Sequence, residues 1–461
     1  MQNNCAVILA AGDGKRMKSQ KPKVLCEVLF KPMLSWVTSS CESAGISNIC
    51  VVTGNGSEQV EEFLNVRYQT VFQRERKGTG HAVMMAAEYL KGFSGRNVLV
   101  LCGDAPFMDQ NTIEEAYDLH QIQNNSVTVI TANLHNPTGY GRIIRGQDGI
   151  HAIVEQKDAD DEQKLINEVN SGTYWFAVDD LLEVLGEITS ENSQGEYYLT
   201  DAVELILKKG KRADAYVSRN SEVILGANDR KTLLQLNETA KKMVIQKHLE
   251  NGVEFASTDG VLISPDVEIG SETVILPSTI LKGNTHIGQR CVIGPGSVVE
   301  DTIVGDDVVL NATQAYQSSI HSDVKIGPFV HIRPNSEIKS KVKIGDFVEI
   351  KNSVIGEGTA VSHLTYVGDS DVGENVNFGC GTVTVNYDGV NKFRTQIGDG
   401  AFIGCNTNLV APVKIGNDAY TAAGSTITKD VPDGALGIER GKQEIKEGFA
   451  HKKLKDRKKK A

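Results

Sequence analysis

The stretch Ile326–Ile350, IGPFVHIRPNSEIKSKVKIGDFVEI, carries an isoleucine at every sixth position: Ile326, Ile332, Ile338, Ile344 and Ile350. A hexapeptide period is the signature of a parallel β-helix. Each hexad is one flat side, and three sides make a coil of 18 residues. The aliphatic residue points into the core, and the small or β-branched residue that often follows four places later fits the crowded corner. The same phase holds upstream at Ile269, Ile275, Leu281, Ile287, Ile293 and Val299, and downstream at Ile397, Ile403, Leu409 and Ile415, with Ile427 two steps on. Breaks in phase at 301–325 and 383–396 are expected to be loops extruded from the helix. The period alone also stacks Lys351 on Arg333, because each follows a core isoleucine and they stand one coil apart.

Before residue 229 the grammar is different. NICVVTG, NVLVLCGD and SVTVITA read as strands, and TGHAVMMAAEYLKGF reads as a helix. Their alternation predicts an α/β domain with a largely parallel, Rossmann-like sheet over 1–228. DRKTLLQLNETAKKMVIQKHLENG has apolar residues at helical spacing and ends at Asn251-Gly252, which predicts a linker helix over 229–250. The β-helix then occupies 251–440. The lysine-rich end, HKKLKDRKKKA, makes 441–461 a basic tail expected to be disordered.

A net charge of −11 over 461 residues argues against a general nucleic-acid binder. No apolar run approaches the roughly 20 residues of a membrane span. MQNNCAVILAAG lacks the regions of a signal peptide. Eight cysteines without paired spacing favour reduced thiols and a cytoplasmic location.

The segment AVILAAGDGKRMKSQKPKVL, residues 6–25, runs from a strand into a glycine loop followed by Lys15, Arg16, Lys18 and Lys21. It is not a P-loop, since Met17 stands where Ser or Thr would reach the metal, and Met17 also breaks the dinucleotide fingerprint. A backbone nest facing phosphate remains, with Arg16 and Lys23 as mobile charges. By itself the pattern fits a turn that binds nothing equally well. Asp104 ends NVLVLCGD, the end of a parallel strand at which ligands bind in open α/β sheets, though a helix N-cap fits it too. His363 in AVSHLTYVG falls at a hexad corner, where a lone histidine is usually structural or surface-exposed.

These stretches occur in one order with QRERKGTGHA, PTGYGRI, NSGTYWF, GEYYLTD, GANDR, HIRPNSEIK, EIKNSVIGEGTAVSHLTYVGD, NFGCGTVTVNYDGVNKFRTQIGD, TNLVAPVKIG and AAGSTIT. From about residue 4 to residue 440 the chain resembles the bacterial bifunctional N-acetylglucosamine-1-phosphate uridyltransferases/glucosamine-1-phosphate N-acetyltransferases. The resemblance implies a nucleotidyltransferase domain, a left-handed β-helix and synthesis of UDP-N-acetylglucosamine for peptidoglycan and, where present, lipopolysaccharide. It implies that Leu9, Ala10, Ala11 and Gly12 cradle UTP, that Gln73, Gly78 and Thr79 read the uracil, and that Gly139, Glu155 and Asn170 hold the sugar. Glu155 alone reads as a solvated carboxylate. Asp104 and Asn228 match the family's Mg²⁺ pair, with Arg16 and Lys23 countering phosphate charge. In the β-helix, His363 matches the base that deprotonates the amine, with Glu349 orienting its imidazole. Arg333, Lys351, Tyr366 and Asn377 match the sugar-phosphate positions, and Cys380, Asn386, Tyr387, Cys405, Ala423 and Arg440 those for acetyl-CoA. The resemblance implies a homotrimer, while charge and hydropathy lead one to expect no nucleic-acid or membrane partner. The chain departs from the family in four places: Lys15 replaces a common Thr, Cys102 a Tyr, Cys380 an Ala and Cys405 a Ser. Three rival readings remain: a nucleotidyltransferase for another sugar or base with a non-catalytic β-helix, a non-catalytic scaffold that kept both folds, and a monofunctional acetyltransferase with a decayed N-terminal half.

Overall fold

The computed structural model describes residues 1–146 and 149–458. They divide into two compact units, Met1–Lys242 and Met243–Ala461, with the division inside the helix Arg230–Glu250.

The first unit is built on a nine-stranded sheet. Its central order is Ala213–Val217, Val127–Asn133, Glu168–Ala177, Asn97–Cys102, Cys5–Ala10, Asn48–Thr53 and Gln69–Phe72. Alternation along each strand feeds two cores. Cys5 and Val7 pack on one face with Ala82, Val83 and Leu181, and Ala6 and Ile8 pack on the other with Leu34, Val37 and Ile113. Helices thus cover both faces, as a parallel sheet requires. The sheet is mixed rather than simply parallel, because Glu168–Ala177 runs antiparallel to both neighbours. The physical reason lies in its connection. The chain reaches it from the hairpin Arg142–Gly146/Gly149–Val154, without the crossover helix that a parallel entry needs.

The second unit is a three-sided stack of short parallel strands, in sheets of 11, 10 and 9 strands, the architecture of the expected left-handed β-helix. Ile275 pairs with Ile293 and Ile326 with Ile344, one 18-residue coil apart. The fourth position of the hexad has a chemical reason. Thr285, Thr382 and Thr407 are fully buried, and each hydroxyl donates to a corner carbonyl three residues back, at 2.6–2.8 Å. The two phase breaks have different causes. Over 301–325 no loop is extruded; the coils are shortened, with Ile293 pairing Leu310 and Leu310 pairing Ile326. At 383–396 a loop does leave the helix, since Phe378 pairs Ile403 and Tyr387 bridges Lys392 across the excursion.

The tail differs from expectation. Phe449–Lys458 is helical rather than disordered, and each of its side chains that is described is exposed. Lysine is a good helix former, so local propensity accounts for this exposed helix. Residues 459–461 of that tail lie outside the described residues. Among the described residues no helix is long and apolar enough to cross a membrane.

Candidate active sites

In the first unit, the C-terminal ends of the parallel strands Cys5–Ala10, Gln69–Phe72 and Asn97–Cys102 deliver Leu9 to Gly12, Gln73, and Cys102 to Asp104 to one place. A cavity of about 470 Å³ opens there, lined by Leu9, Ala11, Gly12, Lys23, Gln73, Gly78, Thr79 and Asp104 among the expected residues. Two glycines are needed for close approach. A Cβ on Gly54 would lie 2.6 Å from the Ala11 oxygen, and one on Gly78, at φ 105°, would lie 2.5 Å from the Tyr197 oxygen. The Gln73 side chain is buried and donates to the Gly78 oxygen at 3.3 Å, holding the Gly78 turn.

The charged centre of this cavity is Lys23, whose ammonium pairs with Asp104 and lies 3.5 Å from Asn228 Oδ1. Asn228 is brought in because the Ala227 amide donates to the Asp104 oxygen at 3.2 Å. Two hard oxygen donors therefore already converge on a cation, a donor set that suits Mg²⁺. Among the described residues no group of three His, Cys, Asp or Glu side chains is placed to hold a metal, so phosphate and water would complete such a shell. Arg16 does not line the cavity. It is exposed on the turn Lys15–Met17, where its charge helps hold the Asp229 carboxyl down, after the larger contribution of hydrogen bonds from Thr232. Ala10 is buried in the second core. Sequence reading missed Asp13 and Arg76, an ion pair in the cavity wall, and Glu196 beside them.

Gly139, Glu155 and Asn170 lie apart from that cavity, grouped by a bulge. The register of Glu168–Ala177 shifts between Asn170 and Thr173, which re-aims Asn170. A Cβ on Gly141 would meet Glu155 Oε1 at 3.4 Å and Asn170 Cβ at 3.6 Å, so Gly141 keeps the space between them. Gln156 Oε1 accepts from the Gly139 amide at 2.9 Å and from buried Arg142 at 2.8 Å, fixing the loop. Cys102 joins this group to the cavity, its sulfur 3.7 Å from the Gly172 oxygen. Glu155 lines a hollow of about 290 Å³ with Asp158 and Asp201. Burial, and then the neighbouring carboxylates, push Glu155 up and Asp201 to about 6. For Asp201 the folded pKa lies above its ordinary 3.8, so the folded state holds the proton longer than the unfolded chain does. Its cost to stability is absent below pH 3.8, grows to about pH 6 and is complete above. Asp201→Asn is accordingly expected to raise Tm by about 2–4 °C at pH 8. The gain should vanish at pH 3.5 in a calorimetric pH series.

In the second unit the pairing Ile332↔Ile350 does stack Arg333 on Lys351. Each cation is met by a carboxylate one coil on: Arg333 by Glu349 at 2.8 Å, and Lys351 by Asp369 at 3.7 Å. Asp369 is a buried hub that sequence reading missed; Asn352 donates to it at 2.5 Å, and Asn386 also hydrogen-bonds to it. Burial works against its charge, but those hydrogen bonds and the Lys351 ammonium hold its carboxyl below the usual range. Tyr366 lies on the same face, its hydroxyl 3.5 Å from Asn386 Nδ2, over Gly368, where a Cβ would collide with the ring.

His363 is exposed at the corner beside this face. Its Nδ1 lies 2.6 Å from Asp346 Oδ1, through the strand pairing Asp346↔His363. Asp346, not Glu349, therefore orients the imidazole; Glu349 points along its own face to Arg333. The hydrogen bond from His363 holds the Asp346 carboxyl below its ordinary value. The available signal was the spacing, since Asp346 stands one short coil before His363. The residues that follow them, Phe347 and Leu364, continue a column from Phe329 at φ 46–59°, bulky and exposed in the left-handed region. The Phe329 and Phe347 rings stack at 5.3 Å. Asn377 is not brought to Arg333, Lys351 and Tyr366; it pairs with Ala360 and Phe402 on the sheet across the corner. Cys380, Cys405 and Ala423 line the corner, and Arg440 Nη1 donates to the Ala423 oxygen at 3.1 Å. Tyr387 sits in the extruded loop, where its hydroxyl donates to the Gly389 oxygen at 2.6 Å.

Comparison with known proteins agrees with both halves. The nucleotidyl transferase family matches residues 5–223, and the bacterial transferase hexapeptide family (six repeats) matches 266–301, 317–352 and 394–429. The Bifunctional protein GlmU of Caldanaerobacter subterraneus subsp. tengcongensis is 50% identical over 99% of each chain. That of Acetivibrio thermocellus is 50% identical over 97% of each, and that of Clostridium beijerinckii is 48% identical over 97% of this chain. The chain belongs to the bifunctional GlmU family. It is a bifunctional transferase of UDP-N-acetylglucosamine synthesis, with the uridyltransferase in the nucleotidyl transferase domain and the acetyltransferase in the hexapeptide domain. Cys102, Cys380 and Cys405, the departures that the resemblance singled out, now have places: one in the cavity wall and two on the corner beside His363.

Proposed function

We propose that the β-helix acetylates glucosamine-1-phosphate at the Asp346–His363 corner and that the Lys23–Asp104–Asn228 cavity then joins the product to UTP. The observation that carries this is one chain with two separate convergent sites, an oriented imidazole beside stacked cations and a carboxylate–amide–ammonium cluster at strand ends.

In the first reaction, Arg333 and Lys351 hold the sugar phosphate, held themselves by Glu349 and Asp369. Asp346 accepts from Nδ1–H of His363, which leaves Nε2 with its lone pair toward the amine. Nε2 takes the proton as the nitrogen attacks the thioester carbonyl; the C–S bond breaks and coenzyme A leaves. In the second, a phosphate oxygen of N-acetylglucosamine-1-phosphate attacks the α-phosphorus of UTP and pyrophosphate departs. The nucleophile is already anionic, so the task is to offset repulsion between two polyanions. Lys23 does this from the cavity wall, and Arg16, exposed on its turn outside the wall, would have to swing in to add its charge. Mg²⁺, held by Asp104 and Asn228, would supply further charge neutralisation at the phosphates. Two features support a threefold assembly, the exposed Phe329–Phe347–Leu364 ridge and the placement of Asn377 on the sheet across the corner from Arg333 and Lys351. A neighbouring copy covering the ridge would complete the site and receive Asn377.

The decisive test incubates the purified protein with glucosamine-1-phosphate, acetyl-CoA, UTP and Mg²⁺ and looks for UDP-N-acetylglucosamine. A product with another base, given a mixture of nucleoside triphosphates, would favour the rival nucleotidyltransferase. Within the first reaction, Arg333→Ala and Lys351→Ala should each raise KM for glucosamine-1-phosphate far more than KM for acetyl-CoA. Each lost contact to a charged group is worth about 1.5–3 kcal/mol. The double variant should lose less than the sum, because both cations hold one anion. Wild-type KM in both single variants would make them solvated surface cations.

A further inference from the structure

One corner position repeats on successive coils. The pairings Asp346↔His363, Val361↔Phe378 and Phe378↔Ile403 place Asp346, His363, Cys380 and Cys405 in a single column. A backbone ladder joins its members. The Leu364 amide donates to the Asp346 oxygen at 3.0 Å, Gly381 to His363 at 3.4 Å and Asn406 to Cys380 at 2.7 Å. Cys380 and Cys405 therefore stand one strand spacing apart, about 4.8 Å, inside the Cα separation a disulfide spans. Side chains one step apart in this column do meet, as Asp346 and His363 show at 2.6 Å. The extruded loop between them hides this adjacency in the sequence.

The other thiols are poorly placed to react. Cys5, Cys26, Cys41, Cys50 and Cys291 are buried, whereas Cys380 is half-buried and Cys405 exposed. Cys102 is half-buried in the wall of the other unit's cavity, with its sulfur 3.7 Å from the Gly172 oxygen.

We propose that Cys380 and Cys405 are a reversible disulfide site, closed by peroxides and opened by thiol reductants, that switches acetyl transfer off and leaves uridylyl transfer running. The Cys405 sulfur attacks one peroxide oxygen, the O–O bond breaks, and Cys405 becomes a sulfenic acid as the first water leaves. The Cys380 sulfur then attacks that sulfur, forming the S–S bond and expelling the second water. Two thiols and one hydrogen peroxide give one disulfide and two waters. A dithiol reductant returns both thiols by exchange. The loss of activity rests on the reading of both positions as acetyl-CoA contacts; formation of the bridge does not.

The test treats the full chain with hydrogen peroxide, alkylates the remaining thiols, and maps joined peptides by mass spectrometry while assaying both activities. The expected result is a peptide pair joining Cys380 to Cys405 in a protein two hydrogens lighter. Acetyl transfer should fall about tenfold or more, uridylyl transfer should be unchanged, and dithiothreitol should restore the loss. Cys405→Ser should give no joined peptide and keep its own untreated acetyl rate after peroxide. Absence of the joined peptide while Cys405 is oxidised overturns the proposal. A joined peptide with full acetyl transfer also overturns the switch, and in that case the fault lies with the acetyl-CoA reading of these positions.

Discussion

Replacing His363 with alanine lowers acetyl transfer about 10²–10⁴-fold and leaves uridylyl transfer at its wild-type rate. The size follows from the role of a general base, which supplies its whole effect at one proton. The separation follows from the architecture, since His363 lies on the β-helix and the Lys23 cluster on the strand ends of the other unit. The side chain is exposed and outside the stacked core, so its removal opens no cavity and Tm should not move. Asp346→Asn should cost less than His363→Ala, because the amide can present its nitrogen rather than an acceptor to Nδ1 and misdirect the ring without removing it. Glu349→Gln should act instead through Arg333, raising KM for glucosamine-1-phosphate. Assays of each half-reaction in the same preparation check all three. A His363→Ala loss below about tenfold would assign the base elsewhere.

Asp104→Asn gives the mirror result. Uridylyl transfer should fall by at least about 10²-fold, the scale of removing one electrostatic group from a reacting centre, with acetyl transfer intact. Among the described residues the Asp104 carboxylate is the anionic group paired with Lys23, and Asn228 offers an amide oxygen. Without Asp104 the cluster loses the charge that would hold a divalent cation. The measurement is pyrophosphate release from UTP and N-acetylglucosamine-1-phosphate over a Mg²⁺ titration. Partial recovery at high Mg²⁺ would place the lost function in metal binding. Loss of both activities in a folded variant would sink the two-site reading.

Much of the architecture was legible because it is written in periods. A six-residue repeat has few packings open to it, so the core of Ile326, Ile332, Ile338, Ile344 and Ile350 and the corner threonines follow from spacing. The alternating N-terminal grammar gave the strands and helices but not the direction of Glu168–Ala177, since a strand's side-chain pattern is the same either way along its neighbours. The phase break at 301–325 was visible, yet a shortened coil and an extruded loop disturb the period alike, and only hydrogen-bond pairing separates them.

The candidate sites divide in the same manner. Asp104 at a strand end, the glycine loop, and Arg333 stacked on Lys351 were fixed by local sequence, because a strand's end and a coil's length place them. Partners depended on the register between coils and loops that the linear chain does not contain. A 17-residue coil sets Asp346 beside His363, where a regular 18-residue coil would have set Gly345. A 25-residue coil brings Cys380 under Cys405. Asn228 joins the Lys23–Asp104 pair through a backbone bond, the Ala227 amide donating to the Asp104 carbonyl oxygen, that draws two distant loops together. The sequence by itself determined which residues face inward, since burial is decided by period. The tertiary structure alone decided which polar groups meet, since hydrogen bonds and ion pairs form at about 3 Å and an offset of one residue along a strand, about 3.3 Å, breaks them.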